Sequence, residues 1–223
     1  EELGIDHATL MSLEPDEEAE PVAARIVDTY DDLPETLMRL LGQAKRSLKG
    51  MRMAANYTTA ANVQLDFRQE LERRLRAGKF LVQRAEIIYS LSRLKEVIWN
   101  IVNYRSDCYQ IKAYCPGLQA AVPAFGGYIF DDKSVLLGSY WATTPPPRPA
   151  PGLLLSGSSC ALFFRAYWNE IWRRGIWLNE NGGESLGQVR DIALQLGLPA
   201  VDWPEFVDQA RSLKFADGGP PLF

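Results

Sequence analysis

Residues 125–138 constrain the fold of this chain more tightly than any other stretch. Two apolar runs, Phe125–Phe130 and Ser134–Gly138, are separated by Asp131-Asp132-Lys133. A short acidic turn between two such runs predicts an antiparallel hairpin. Neither run alternates cleanly between apolar and polar residues, which is the pattern of strands buried on both faces. A hairpin of that kind needs a packed layer above and below it, so the flanking segments must supply helices.

The flanking segments read accordingly. Residues 1–33 are an acidic lead-in with Arg25 as the single base, and Ala23–Tyr30 forms an extended piece that joins the core. From Pro34, the spacing of Leu37, Leu40, Leu41, Ala44 and Leu48 predicts a helix that Gly50 stops. A strand over Met51–Ala55 and a polar loop at Asn56–Thr59 follow. The next helix covers Gln64–Ala77, with Phe67, Leu71 and Leu75 inward and the pairs Glu70–Arg74 and Glu72–Arg76 on its outer face. Then come a strand over Lys79–Ile88, a helix from the N-cap Ser90 to Tyr104, and a strand over Asp107–Cys115. Prolines at 145, 146, 147, 149 and 151 make Thr143–Gly152 a stiff surface loop. Ser158–Arg174 is the strongest helix, with Leu162, Phe163, Tyr167 and Ile171 inward. Beyond the Asn181-Gly182-Gly183 hinge, helices over Glu184–Leu196 and Pro204–Leu213 form a small appendage around Trp203 and Phe206. The class is α/β, a mixed-sheet α/β/α sandwich with a small C-terminal helical appendage. Its parts are the lead-in 1–33, a main domain 34–178 and the appendage and tail 179–223.

Composition enters through what it excludes. A net charge of −4 gives no global basic field, so direct nucleic-acid binding is not expected. The densest basic group, Arg68, Arg73, Arg74, Arg76 and Lys79, lies on a helix that already carries acids. Three cysteines, Cys108, Cys115 and Cys160, are too few for a disulfide framework, and no metal-ligand spacing is present. No apolar run approaches the roughly 20 residues of a membrane span. The acidic start is unlike a signal peptide, so the expected location is the cytoplasm. The single histidine, His7, falls in the acidic lead-in. Catalytic triads and two-histidine metal sites would need an imidazole in the folded body.

The stretch from Ala124 to Trp141 resembles the signature hairpin of the phospholipase D superfamily. There a His-x-Lys pair lies on a strand, an Asp follows five residues after the Lys, and Gly-Ser comes seven after the Asp. Here Asp131 and Gly138-Ser139 keep that spacing, while Ala124 stands at the His position and Gly126 at the Lys position. The resemblance runs from about Leu33 to Arg174 and covers one half-unit of the superfamily. It implies nucleophilic histidine chemistry on a phosphodiester, with lysines holding the phosphate, in active members. Ala124 and Gly126 can neither attack phosphorus nor pair with an anion, so the resemblance implies an inactive relative. Such relatives occur as ligand-binding parts of prokaryotic transcriptional regulators and as interaction modules. Active members pair two half-units face to face, so a homodimer is expected.

By the same resemblance the vacated pocket lies at the strand ends around Gly126. Ser139, Tyr140 and Trp141 after the hairpin and Asn56 and Thr58 after the first core strand should border it. The Ser156-Gly157-Ser158-Ser159 turn, with free N–H groups and hydroxyls at a helix start, offers an anion or hydroxyl site. Arg148 in its proline-fixed loop is placed to close over an anionic ligand. The expected ligand is small and polar or phosphate-bearing; no cofactor, metal or membrane partner is expected. Two other readings stand beside this one: a hydrolase using different residues in the same cleft, and a purely structural dimerisation or protein-interaction domain.

Overall fold

The structure, a computed structural model, describes residues 22–27, 32–52, 61–115, 126–138, 152–179, 183 and 185–213. In chain order its elements are β1 (Ala23–Val27), α1 (Asp32–Gln43), β2 (Ser47–Arg52), α2 (Ala61–Arg76), β3 (Leu81–Ile87), α3 (Leu91–Asn103) and β4 (Tyr109–Tyr114). They continue with β5 (Gly126–Phe130), β6 (Ser134–Gly138), β7 (Gly152–Ser156), α4 (Ser158–Arg174), β8 (Ile176–Trp177), α5 (Leu186–Gln195) and α6 (Trp203–Arg211). Among the described residues the strands form one eight-stranded sheet in the order β1-β7-β6-β5-β2-β3-β4-β8. Strands β2, β3 and β4 run parallel, and every other pairing is antiparallel. The mixed α/β class and its sheet are as the sequence predicts.

Period-two geometry divides the sheet into two buried faces. One face, carrying Leu48, Val82, Ile111, Phe130, Leu136 and Leu154, packs under α1, α2 and α3. Val189, Ile192, Phe206 and Ala210 from α5 and α6 join that same core, and α6 packs on α3. The other face, carrying Met51, Ala85, Ile87, Tyr114, Ile129 and Val135, is covered by α4 through Ala161, Phe164, Trp168 and Ile171. Helix α3 begins as its sequence predicts: the Ser90 hydroxyl accepts the Arg93 N–H at 3.2 Å. No helix among the described residues is long and apolar enough to cross a membrane.

Four expectations need correction. Helix α1 ends at Gln43, and Leu48 and Gly50 lie in β2. The N–H groups of Lys45, Arg46 and Ser47 turn instead to the Asp131 carboxylate, which pulls this segment out of the helix and into the sheet. Strand β7 follows directly on the proline-rich stretch and links β6 to the edge strand β1, so Leu153–Leu155 is sheet. The short strand β8 is also additional. Finally, α4 is rotated by about one residue from its expected face. Ala161, Phe164, Trp168 and Ile171 are buried, while Leu162 and Phe163 are 51% and 67% exposed. The apolar residues of this helix support two adjacent stripes. The one that wins buries Trp168, which stacks on Trp172 at 5.5 Å.

A polar seam fastens the far edge of the sheet. Lys112 on β4 donates to the Trp172 carbonyl at 2.8 Å, and its ammonium lies 4.6 Å from the Trp177 ring centroid. A Cβ at Gly175 would approach the Lys112 Cβ to 2.9 Å, so glycine makes room for this lysine stem. Buried Asn179 then accepts the Ile111 N–H and donates to the Tyr109 carbonyl, satisfying backbone groups that β8 is too short to reach.

Candidate functional site

The carboxyl ends of the parallel strands share one edge of the sheet, and β5 begins there because it runs antiparallel to β2. Gly127 pairs with Met51, Gly126 pairs with Gly138, and Arg52 pairs with Glu86. Gly126 is buried and shares a face with Tyr128 and Phe130, the face under α2 and α3. A Cβ at Gly127 would sit 2.5 Å from the Leu136 carbonyl oxygen, so the start of this strand has no space for a side chain there. Position 126, where the resemblance places a phosphate-holding lysine, presents only hydrogens.

Ser156, Ser158 and Ser159 are elsewhere. Ser156 pairs with Ser134, and Ser134 pairs with Phe130, at the opposite end of the hairpin from Gly126. At roughly 3.4 Å per residue the two ends stand about 13 Å apart, so these serines do not border the same pocket. The direction of β7, set by its antiparallel pairing with β6, decides this. Gly157 precedes α4 without any side-chain cap. Asn56, Thr58, Ala124, Ser139, Tyr140, Trp141 and Arg148, like His7, lie outside the described residues.

The acidic turn occupies that second end. Asp131 and Asp132 both adopt positive φ, 52° and 57°, a conformation Asp tolerates better than most residues. Asp131 accepts the Lys45, Arg46 and Ser47 N–H groups at 2.5, 2.7 and 2.8 Å. Burial pushes this carboxyl up, but the three amides together outweigh it and leave it below its ordinary value. Asp132 pairs with Lys49 at 2.5 Å, and Arg165 lies 3.8 Å from it. This pair of acids shapes and fastens the turn, the role its sequence position suggests.

Beneath the Gly126 edge lies a feature that sequence reasoning missed. Arg84 and Glu86 on β3 and Arg93 and Glu96 on α3 form a buried ion network. Arg84 reaches Glu86 at 2.5 Å and the Tyr109 hydroxyl at 3.2 Å, and Arg93 bridges Glu86 and Glu96. Glu86 is completely buried and Arg93 is 1% exposed. Burial works against the Arg84 charge, and Glu86 together with Tyr109 and Tyr128 more than restores it. Two arginines balance two glutamates, so the network is a neutral, rigid floor. The available signal was an i,i+2 Arg/Glu pair on a buried strand and an i,i+3 pair on the following helix.

Nothing else among the described residues offers a nucleophile with a base. The cysteines are free, and burial pushes the Cys115 thiol up to about 11. No group of three or more His, Cys, Asp or Glu side chains suited to a metal occurs among the described residues.

No family model matches the sequence, and no curated protein does either. Solved structures do match in fold. NucT from Helicobacter pylori aligns with a TM-score of 0.52 at 12% identity, over 70% of this chain and 99% of its own. Phosphatidylserine synthase from Haemophilus influenzae also gives 0.52, at 15% identity, over 85% of this chain and 45% of its own. TrmBL2, an archaeal chromatin protein, gives 0.48 at 15% identity over 76% of this chain, which spans 57% of that protein's length.

Proposed function

From a phospholipase D-like fold, we propose that the chain is a non-catalytic module that binds a small polar or phosphate-bearing ligand and reports it to a partner. The observation that carries this reading is Gly126: the strand that holds the family's phosphate-binding lysine begins here with a bare backbone. The chain's single histidine is His7, far from the hairpin in sequence. The charge-balanced floor under the same edge suits recognition of a ligand better than phosphoryl chemistry, which needs uncompensated positive charge at the reacting oxygens. Residues 33–174 resemble one half-unit, and two copies pairing face to face would give the arrangement of active members. The effector half of a transcription regulator is the setting in which such a module would act.

Thermal unfolding in the presence of AMP or ribose 5-phosphate tests the binding step. At ten times its dissociation constant a bound ligand stabilises by about 1.4 kcal/mol, which raises Tm by roughly 3–6 °C for a domain of this size. The shift should disappear in Gly126→Trp, whose indole would fill the strand end. No shift with either probe in the millimolar range, or a shift that survives Gly126→Trp, would overturn ligand binding at this edge.

A further inference from the structure

The net charge of −4 conceals a division of sign. Residues 1–33 hold eleven of the 28 acids and one of the 24 bases, so residues 34–223 carry 23 bases against 17 acids. Most of that excess gathers at the edge of the sheet opposite Gly126, where β2 and β3 begin and β5 turns into β6.

Many of the charges there are paired or offset. Arg73 and Arg74 share the single carboxylate of Glu70, and Arg76 takes Glu72. Lys49 and Arg165 share Asp132, and Arg46 is set against Asp131. Arg105 and Asp107, just before β4, are equal and opposite. Lys45, Lys79 and Lys133 remain. All three are exposed, and no ion pair among the described residues includes their ammonium groups. Along this edge ten bases therefore meet five acids. The strands that carry the three lysines, β5, β2 and β3, are adjacent and span about 10 Å.

Strand β1 starts at the same edge, because Ala23 pairs with Ser156 and Ser156 with Ser134. Shortly before it come Glu14, Asp16, Glu17, Glu18 and Glu20, five acids with no base among them. Lys79 precedes β3, five strand spacings from β1, which is about 24 Å. Glu20 and Glu14 lie three and nine residues before Ala23, so an extended chain carries them roughly 10 and 30 Å along the edge. The acids thus reach every unpaired lysine of the row. One exposed pair contributes only about 0.2–1 kcal/mol, but the covalent tether gives the segment an effective concentration of about millimolar order, and several pairs form together. We propose that this edge is the docking surface of the chain's own acidic segment, Glu14–Glu20.

Zero-length carbodiimide coupling of the full chain, which joins a carboxylate to a lysine amine only where the two touch, tests the assignment. Tryptic mass mapping is expected to find Glu14–Glu20 joined to Lys45, Lys79 or Lys133 at least about fivefold more often than to Lys95, which lies on α3 against Gln209. Raising the ionic strength from about 0.1 to about 1 M shortens the Debye length from roughly 10 to roughly 3 Å and should cut the edge links about fivefold. The variant Arg73→Gln/Arg76→Gln removes no coupling partner and should still reduce them about threefold. Edge links no commoner than links to Lys95, or yields unchanged by both salt and the arginine variant, would overturn the proposal. So would links that join only an isotope-labelled copy to an unlabelled one, since the segment would then dock on a second molecule.

Discussion

Glu86→Ala is expected to remove about 3–5 kcal/mol of folding stability, the largest loss of any single substitution considered. Glu86 is fully buried between Arg84 and Arg93, and its two oxygens divide between them. Alanine would leave two guanidinium groups with little access to water and only Glu96, on the helix, as counter-charge. A domain of ordinary stability, about 5–15 kcal/mol, would lose a large part of its margin. Glu86→Gln keeps the shape and one acceptor and should cost roughly half as much. Replacing all four members, Arg84, Glu86, Arg93 and Glu96, by Met, Leu, Met and Leu should be much closer to neutral, since no buried charge is then stranded. Urea unfolding of the three variants distinguishes a neutral, paired floor from a set of incidental surface charges. Similar small losses in all three would contradict the network as described.

The second large effect belongs to Asp131. Its carboxylate receives three backbone N–H groups from the segment joining α1 to β2, 84–86 residues earlier in the chain. Charge-assisted bonds of this kind contribute about 1.5–3 kcal/mol each when taken singly, and they are not additive. Asp131→Ala should therefore cost about 3 kcal/mol, including the strain of alanine at positive φ. Asp131→Asn tolerates that backbone and keeps one acceptor, so it should cost about half. The folded carboxyl titrates below its ordinary value, so its stabilising contribution is fully present above the ordinary aspartate range near pH 4. That contribution is lost as pH falls through that range toward the lower folded value. Stability measured from pH 6 down to about 3 should thus decline more steeply in the unmodified chain than in Asp131→Asn. Parallel declines would show that the carboxylate is not clamped.

The same aspartate explains why part of the fold was illegible in sequence. Leu48 continues a helical spacing that begins at Leu37, and local pattern alone extends α1 through it. The competing partners of Lys45–Ser47 lie on a turn far along the chain, and nothing local announces them. By contrast, α4 spans Ser158–Arg174 as expected because Gly157 and Gly175 bound a long uninterrupted run. Ser90 and the Glu70–Arg74 and Glu72–Arg76 pairs were likewise readable, since caps and i,i+4 partners are local. The face of α4 was not, because two apolar stripes compete and only packing chooses between them.

The candidate site divides in the same way. Gly126 could be placed at the mouth of a central strand because the hairpin spacing fixes it. Ser156, Ser158 and Ser159 could not, because whether β7 runs toward or away from that mouth depends on its pairing with β6 and β1. The ion network was hidden for a related reason: it joins a helix to residues of a strand, so its chemistry exists only once the layers are packed.

Turnover of bis(p-nitrophenyl) phosphate by the purified chain bears most directly on the claim that this fold is used here without phosphodiester chemistry. With hydrogens where a lysine would hold phosphate and the single histidine, His7, far from the strand in sequence, hydrolysis should stay at the buffer rate across the histidine titration range. Saturable cleavage that follows the protein through purification and falls in Gly126→Trp would contradict it.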